Sequence, residues 1–173
     1  DSIVDASSPS RFAYVAPDEA GPGGPLQVER STVIGKVATT VLELASNTIF
    51  LAEPAQTDPK SAAPIRAERL QQGCVRFCYL PPDARVPRRF SCQPASAADE
   101  ARVRPIFTSL RYGDPGYCHL SRHCRDEICQ AADDGSEIGV YHDLYQPRRE
   151  TNLRVRLDEF LRFGLEAGIC YVT

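Results

Sequence analysis

The densest run of chemically capable side chains in the chain is Cys118-His119-Leu120-Ser121-Arg122-His123-Cys124-Arg125-Asp126-Glu127-Ile128-Cys129. Thiolates and imidazoles are the ligands of zinc, and structural zinc sites draw them as pairs two to four residues apart, with a second pair further along the chain. Cys118 and Cys124 are six apart, and Cys124 and Cys129 five, so the cysteines lack that spacing. Whether Cys118, His119, His123, Cys124 and Cys129 converge on a metal is not decided by their order. They are read as buried or surface thiols and imidazoles, and no metal or cofactor is expected.

Three further thiols pose a separate question. Cys74 and Cys78 lie on one strand face roughly 13 Å apart by the rise per residue, too far to bridge each other. Either could approach Cys92 across neighbouring strands, although a disulfide needs an oxidising compartment. Asp133-Asp134-Gly135-Ser136-Glu137 has the carboxylates and glycine turn of hard-cation chemistry but not the ligand spacing of an EF-hand loop, and it reads as a solvated acidic turn. His142, between Tyr141 and Asp143, is read as a half-buried histidine and not as a base. No serine sits in a Gly-x-Ser-x-Gly elbow, and no glycine-rich phosphate loop precedes a helix. No catalytic residues are assigned.

These groups must be positioned by elements, and the elements repeat. Leu26-Gln27-Val28-Glu29-Arg30-Ser31-Thr32-Val33-Ile34 lies over Leu42-Glu43-Leu44-Ala45-Ser46-Asn47-Thr48-Ile49-Phe50, sixteen residues on, and Pro64 to Arg69 repeats Pro25 to Arg30. Each copy alternates with period two and has no helical stripe. A unit this short cannot bury its own apolar face, whereas stacked units share a core. Stacked parallel strands place Ile3, Val33 and Ile49 in one ladder and Leu26, Leu42 and Ile65 in another. Val28 over Leu44 is then a core pair, and Ser31 and Asn47 share a polar corner. Pro17 to Pro25 and Glu53 to Pro64 are inserted loops by their Pro, Gly and Ala content.

This arrangement resembles the irregular right-handed parallel β-helix of pectate-lyase-like and phage tailspike-like repeat proteins. The resemblance covers residues 1 to about 80 and implies a β-solenoid. It also raises the alternative of a polysaccharide lyase or glycoside hydrolase, which needs paired carboxylates on one face. The repeats supply Glu29, Glu43 and Glu68, with Arg30 and Arg69 beside two of them. Outward Glu-Arg pairs are more often surface ion pairs of small energy. Of the motifs that the galacturonases of this fold combine, only an Asp-Asp is matched.

Gly73 to Leu80 reads as one strand with Val75, Phe77 and Tyr79 on one face, and Arg88 to Cys92 as another. Beyond the small-residue stretch 93–101 the pattern changes. Ile106 to Tyr112 reads as a strand ending in the Gly113-Asp114-Pro115-Gly116 turn, and Arg125 to Ala132 as a short helix. Pro147 suits a first helical turn, Leu153, Leu157, Phe160 and Leu161 form a one-sided apolar stripe, and Gly164 is the expected stop. Ile169 to Val172 reads as a last strand. The text around Arg111 to Tyr117, Ala131 to Gly139 and Phe163 to Ile169 resembles the C-terminal region of uncharacterised bacterial proteins loosely associated with phage-tail-like injection systems.

With 173 residues, 20 Lys+Arg against 23 Asp+Glu and no block of one sign, the chain has no nucleic-acid footprint. There is no apolar run near membrane-spanning length and no leader at the start, and the segment reads as soluble, with its compartment undetermined. The absence of methionine and the repeat-like first residues suggest a piece of a longer protein. The expectation is thus a mainly β chain, with parallel β-helix rungs over 1–95 and an α+β cap or docking lobe over 96–173. Its function is expected to be that of a non-catalytic structural or binding component of a larger bacterial protein or assembly, partnered by protein or surface glycan, with self-association as an option.

Overall fold

A computed structural model of the chain describes residues 1–19, 21–55 and 63–168. Ten short strands run in chain order: β1 (Ile3–Asp5), β2 (Phe12–Tyr14), β3 (Leu26–Glu29), β4 (Thr32–Ile34), β5 (Lys36–Thr39), β6 (Leu42–Ser46), β7 (Ile49–Leu51), β8 (Ile65–Ala67), β9 (Cys74–Arg76) and β10 (Arg89–Phe90). They form three parallel sheets, ordered β1-β4-β7, β2-β5-β8 and β10-β9-β6-β3. A helical turn α1 (Asp126–Cys129) and one longer helix α2 (Gln146–Phe160) follow.

The strands are short because a left-handed residue ends each member of the four-stranded sheet. Arg30, Asn47, Phe77 and Ser91, the residues directly after β3, β6, β9 and β10, have φ of 45°, 50°, 51° and 48°. Only asparagine among these adopts that region readily. The next residue in each case folds its side chain back onto the carbonyl two residues earlier. Ser31 Oγ donates to Glu29 O at 2.7 Å, Thr48 Oγ1 to Ser46 O at 2.8 Å, Cys78 Sγ to Arg76 O at 3.0 Å and Cys92 Sγ to Phe90 O at 3.4 Å. A small side chain with a donor is what each corner requires.

The expected register is one residue off. Leu26 pairs with Leu42, but a bulge follows, so Gln27 meets Leu44 and Val28 meets Ala45. Glu43 is the extra residue, and beyond it every partner is displaced: Thr32 pairs with Ile49 and Val33 with Phe50. Independently of that bulge, Ile3 lies beside Thr32 and not Val33, and Ile65 lies beside Val37 in another sheet, not in the Leu26-Leu42 ladder. The corner equivalent to Asn47 is Arg30 and not Ser31.

The pectate-lyase-like or tailspike-like β-helix solenoid is corrected by the topology of the sheets. Successive partners are sixteen residues apart at Leu26 and Leu42, thirty at Ala45 and Val75, and fourteen at Val75 and Arg89. There is thus no repeat of constant length. Pairing is confined to three short sheets of three, three and four strands in a small α/β-type domain with few helices.

Two apolar clusters hold the molecule. Val33, Val37, Leu42, Ala45, Phe50, Ile65, Val75 and Leu80 fill the space between the sheets. Ile49 and Tyr79 face the other way and pack with Val103, Cys124, Ile128, Ala132 and Ile138, which attaches the later part of the chain to the strands. Polar bonds reinforce that attachment. Asn47, 5% exposed, donates from Nδ2 to Asp133 Oδ1 at 2.8 Å and accepts from the Asp133 amide at 3.2 Å, while the Gly139 amide donates to Asn47 O at 2.9 Å. The Val140 amide donates to Thr32 Oγ1 at 3.2 Å.

Further local expectations are revised. β9 stops at Arg76 because Phe77 turns left-handed, so the faces assigned across Gly73 to Leu80 do not continue: Cys78 and Leu80 are buried beside Val75. Ile106 to Tyr112 is not a strand and contributes only the isolated bridges Phe107 to Leu120 and Ser109 to Tyr117. α2 begins as expected, with Pro147 in its first turn, but ends at Phe160, before the expected stop at Gly164, and of its apolar stripe Leu153 and Phe160 are exposed while Leu157 and Leu161 are half-buried. Most of the loop Glu53 to Pro64, and the strand expected at Ile169 to Val172, lie outside the described residues. Among the described residues no helix is long and apolar enough to cross a membrane.

Candidate functional site

The five residues of the Cys/His run do not converge. Cys118 is buried, which pushes its thiol up to about 11. His119 stacks on Tyr141 with ring centroids 3.8 Å apart, and burial lowers its proton affinity. His123 is exposed. Only Cys124 and Cys129 meet: a hydrogen bond from the Cys129 thiol draws Cys124 down to about 7, and the same contact raises Cys129. This is one thiol pair and not a zinc ligand set.

The acidic turn holds the one His/Cys/Asp/Glu group among the described residues whose ligand atoms are close enough for a cation, Asp133, Asp134 and His142, all within 4.8 Å of one another. Each is already engaged. Asp133 is held by Asn47; Asp134 accepts from the Ser136 amide and the Tyr145 hydroxyl, both at 2.8 Å. Burial raises the Asp134 carboxyl, but these bonds outweigh it and bring it to about 2. His142, 6% exposed, directs Nδ1 at Glu137 O (3.1 Å) and Ser136 Oγ (2.8 Å). The trio is a structural knot that fixes the turn against the sheet corner and the start of α2.

What the knot presents is Glu137. Read from sequence as part of a solvated turn, it is 2% exposed, and its Oε1 is buried without a hydrogen-bond partner. It lines a cleft of about 310 Å³ together with Gln130, Tyr145, Arg148, Thr151 and Asn152, between the turn and the first half of α2. Arg148 lies over the Tyr145 ring and donates to Gly135 O at 2.9 Å, which closes one end. Burial pushes the Glu137 carboxyl up to about 7 despite a backbone hydrogen bond from Gln146. The signal in the sequence was the Ile138-Gly139-Val140 run that follows directly, which draws Glu137 inward with its neighbours.

A pH dependence follows. Glu137 binds its proton more tightly in the folded chain than in the unfolded one, so stability falls as pH rises from about 4.5 to about 7 and is level above that. Glu137→Gln should abolish this slope and leave the variant about 3 kcal/mol more stable than wild type at pH 8, with little difference below pH 4.5. Urea titrations across that range check it; parallel curves for the two proteins would refute the assignment.

The carboxylates weighed for glycosidic cleavage, Glu29, Glu43 and Glu68, stand exposed. Their arginine neighbours bond elsewhere, Arg30 to Asp1 at 2.9 Å and Arg69 to Gln72 at 3.5 Å. Of the other described thiols, Cys74 is exposed, whereas Cys78 and Cys92 lie side by side on paired segments, the Gln93 amide donating to Cys78 O at 2.8 Å. No family model matches the chain, and neither a curated protein nor a solved structure matches it.

Proposed function

We propose that the chain is a non-catalytic structural or binding component of a larger protein or assembly, and that α2 with the residues after it is its contact surface. The observation that carries this is the exposure of Leu153 (48%) and Phe160 (83%) on one face of α2, followed by Phe163 (110%) and Leu165 (60%) just beyond it. Apolar side chains scattered singly over a surface need no explanation, whereas a contiguous group marks a contact.

The charges of the helix favour a second copy of the chain as the occupant. Arg148 and Arg149 are in the first turn, Asp158 and Glu159 in the last, and neither turn carries the opposite sign. That is the reverse of what a helix macrodipole stabilises. An antiparallel copy brings the acidic end of one helix to the basic end of the other and offsets both mismatches while covering the apolar stripe.

A helix pair of this length is at the small end of protein interfaces, with a dissociation constant on the order of micromolar. Sedimentation velocity over a concentration series is therefore expected to give a monomer–dimer equilibrium. Leu153→Ser with Phe160→Ser should shift it to monomer while leaving the melting curve unchanged at concentrations where wild type is itself monomeric, because both side chains are exposed. Wild type that remains monomeric at every concentration would overturn this reading.

A further inference from the structure

Cys78 and Cys92 occupy the same corner position on adjacent strands. Tyr79 and Gln93, the residues after them, form a parallel bridge; the Leu80 amide donates to Gln93 O at 2.9 Å and the Gln93 amide to Cys78 O at 2.8 Å. Neighbouring strands are ~4.8 Å apart, inside the Cα separation that a disulfide requires. Both side chains fold back in the same sense, each onto the carbonyl two residues before it, and the Cys92 thiol also reaches across to Val75 O on β9 at 3.7 Å. The equivalent corners before them hold Ser31 and Thr48, whose hydroxyls make the same bond. The corner therefore requires only a small donor, and thiols on two successive strands add a chemistry that the fold does not need.

We propose that Cys78 and Cys92 are a redox-active dithiol that a small-molecule disulfide oxidises to an intramolecular disulfide. The two thiols have different parts. Cys78 is fully buried and its thiol is raised by burial and by Cys92, whereas Cys92 is half-buried and is drawn down to about 7 when the Cys78 thiol turns its proton from Arg76 O to the Cys92 sulfur. Cys92 is the attacking thiolate at neutral pH and Cys78 the resolving thiol. The Cys92 sulfur attacks one sulfur of the small disulfide, its S–S bond breaks, and the first small thiolate leaves. Cys78 then gives up its proton and attacks the Cys92 sulfur; the mixed S–S bond breaks and the second small thiolate leaves. The protein loses two electrons and two protons, and the small disulfide is reduced to two thiols.

The product ties the end of β9 to the end of β10, the last strand of its sheet. Oxidation therefore closes the segment 79–91 into a loop and removes the freedom of β10 to detach from β9. The reduced and oxidised chains should differ in how readily this edge of the sheet opens.

The test is incubation of the chain with glutathione disulfide, followed by alkylation and peptide mapping by mass spectrometry, with the exposed Cys74 as an internal reference. Wild type is expected to yield a Cys78–Cys92 linked peptide. Cys78→Ser should accumulate a glutathione adduct on Cys92, and Cys92→Ser should leave Cys78 unmodified. In Cys78→Ala, which removes the donor altogether, the pH midpoint of adduct formation on Cys92 should move up from about 7 towards the ordinary thiol range. A persistent glutathione adduct on wild-type Cys92, or two free thiols while Cys74 is modified, would overturn the proposal.

Discussion

Gly73→Ala is expected to cost more than about 3 kcal/mol, because a non-glycine residue in strained backbone and an overpacked contact each cost about 1–3 kcal/mol. Gly73 has φ of 98°, a region that side chains rarely adopt, and an added Cβ would fall inside the carbonyl group of Leu42. Leu42 is 1% exposed and belongs to β6, at the centre of the largest sheet, so it cannot yield without disturbing the core. Gly113 provides the control: its φ of 96° is nearly the same, but nothing lies within 4 Å of an added Cβ. Gly113→Ala should therefore cost only the strain, about 1–2 kcal/mol. Urea denaturation of both variants separates the two causes, and equal losses would mean that the Gly73 turn simply moves away from β6.

Ala45→Asp is expected to leave no cooperative unfolding transition. Ala45 is fully buried between Val28 and Val75, and an uncompensated carboxylate there costs about 3–5 kcal/mol, much of the stability of a small domain. Leu44→Asp, one residue earlier, should cost only about 1–2 kcal/mol, because Leu44 is half-buried and loses only part of its apolar contact. Circular dichroism melts of the pair test the register directly. The sixteen-residue alignment predicts the reverse order, so a folded Ala45→Asp beside an unfolded Leu44→Asp would restore it.

That one-residue difference explains much of what was legible in the sequence and what was not. Strand positions were visible because period-two alternation reports burial on one face, and β3, β4, β6 and β7 lie where the alternation puts them. The bulge at Glu43 was not visible, since an extra residue at an exposed position of β6 leaves no local signal yet shifts the partners that follow it. Phe77 misled for a related reason. Its size and place in an alternating run suggest a strand interior, while its φ of 51° is imposed by its position after β9, a tertiary demand that overrides its preference.

The site was less legible than the fold. Glu137 belongs by composition to a solvated acidic turn, and only the packing of Ile138 and the hydrogen bonds of His142 carry it inside. The Cys78–Cys92 contact was open in the sequence as one of two pairings, and the bridge between Tyr79 and Gln93 selects it. Helix α2 was recognised from its stripe, but whether a stripe is buried within a chain or left for another cannot be read from period alone.

Asn47 has a consequence beyond the corner that it shapes. Residues 131–142 contain almost no regular secondary structure, and such segments ordinarily open on their own, at small free energy, long before the rest of a protein does. Here the amides of Asp133 and Gly139 are bound to Asn47 and that of Val140 to Thr32, both at the edges of sheet strands. Exchange at those three amides requires breaking their bonds to Asn47 and Thr32. The irregular segment is therefore expected to show protected amides at Asp133, Gly139 and Val140, where it is bound to the sheet strands' ends, and faster exchange between them.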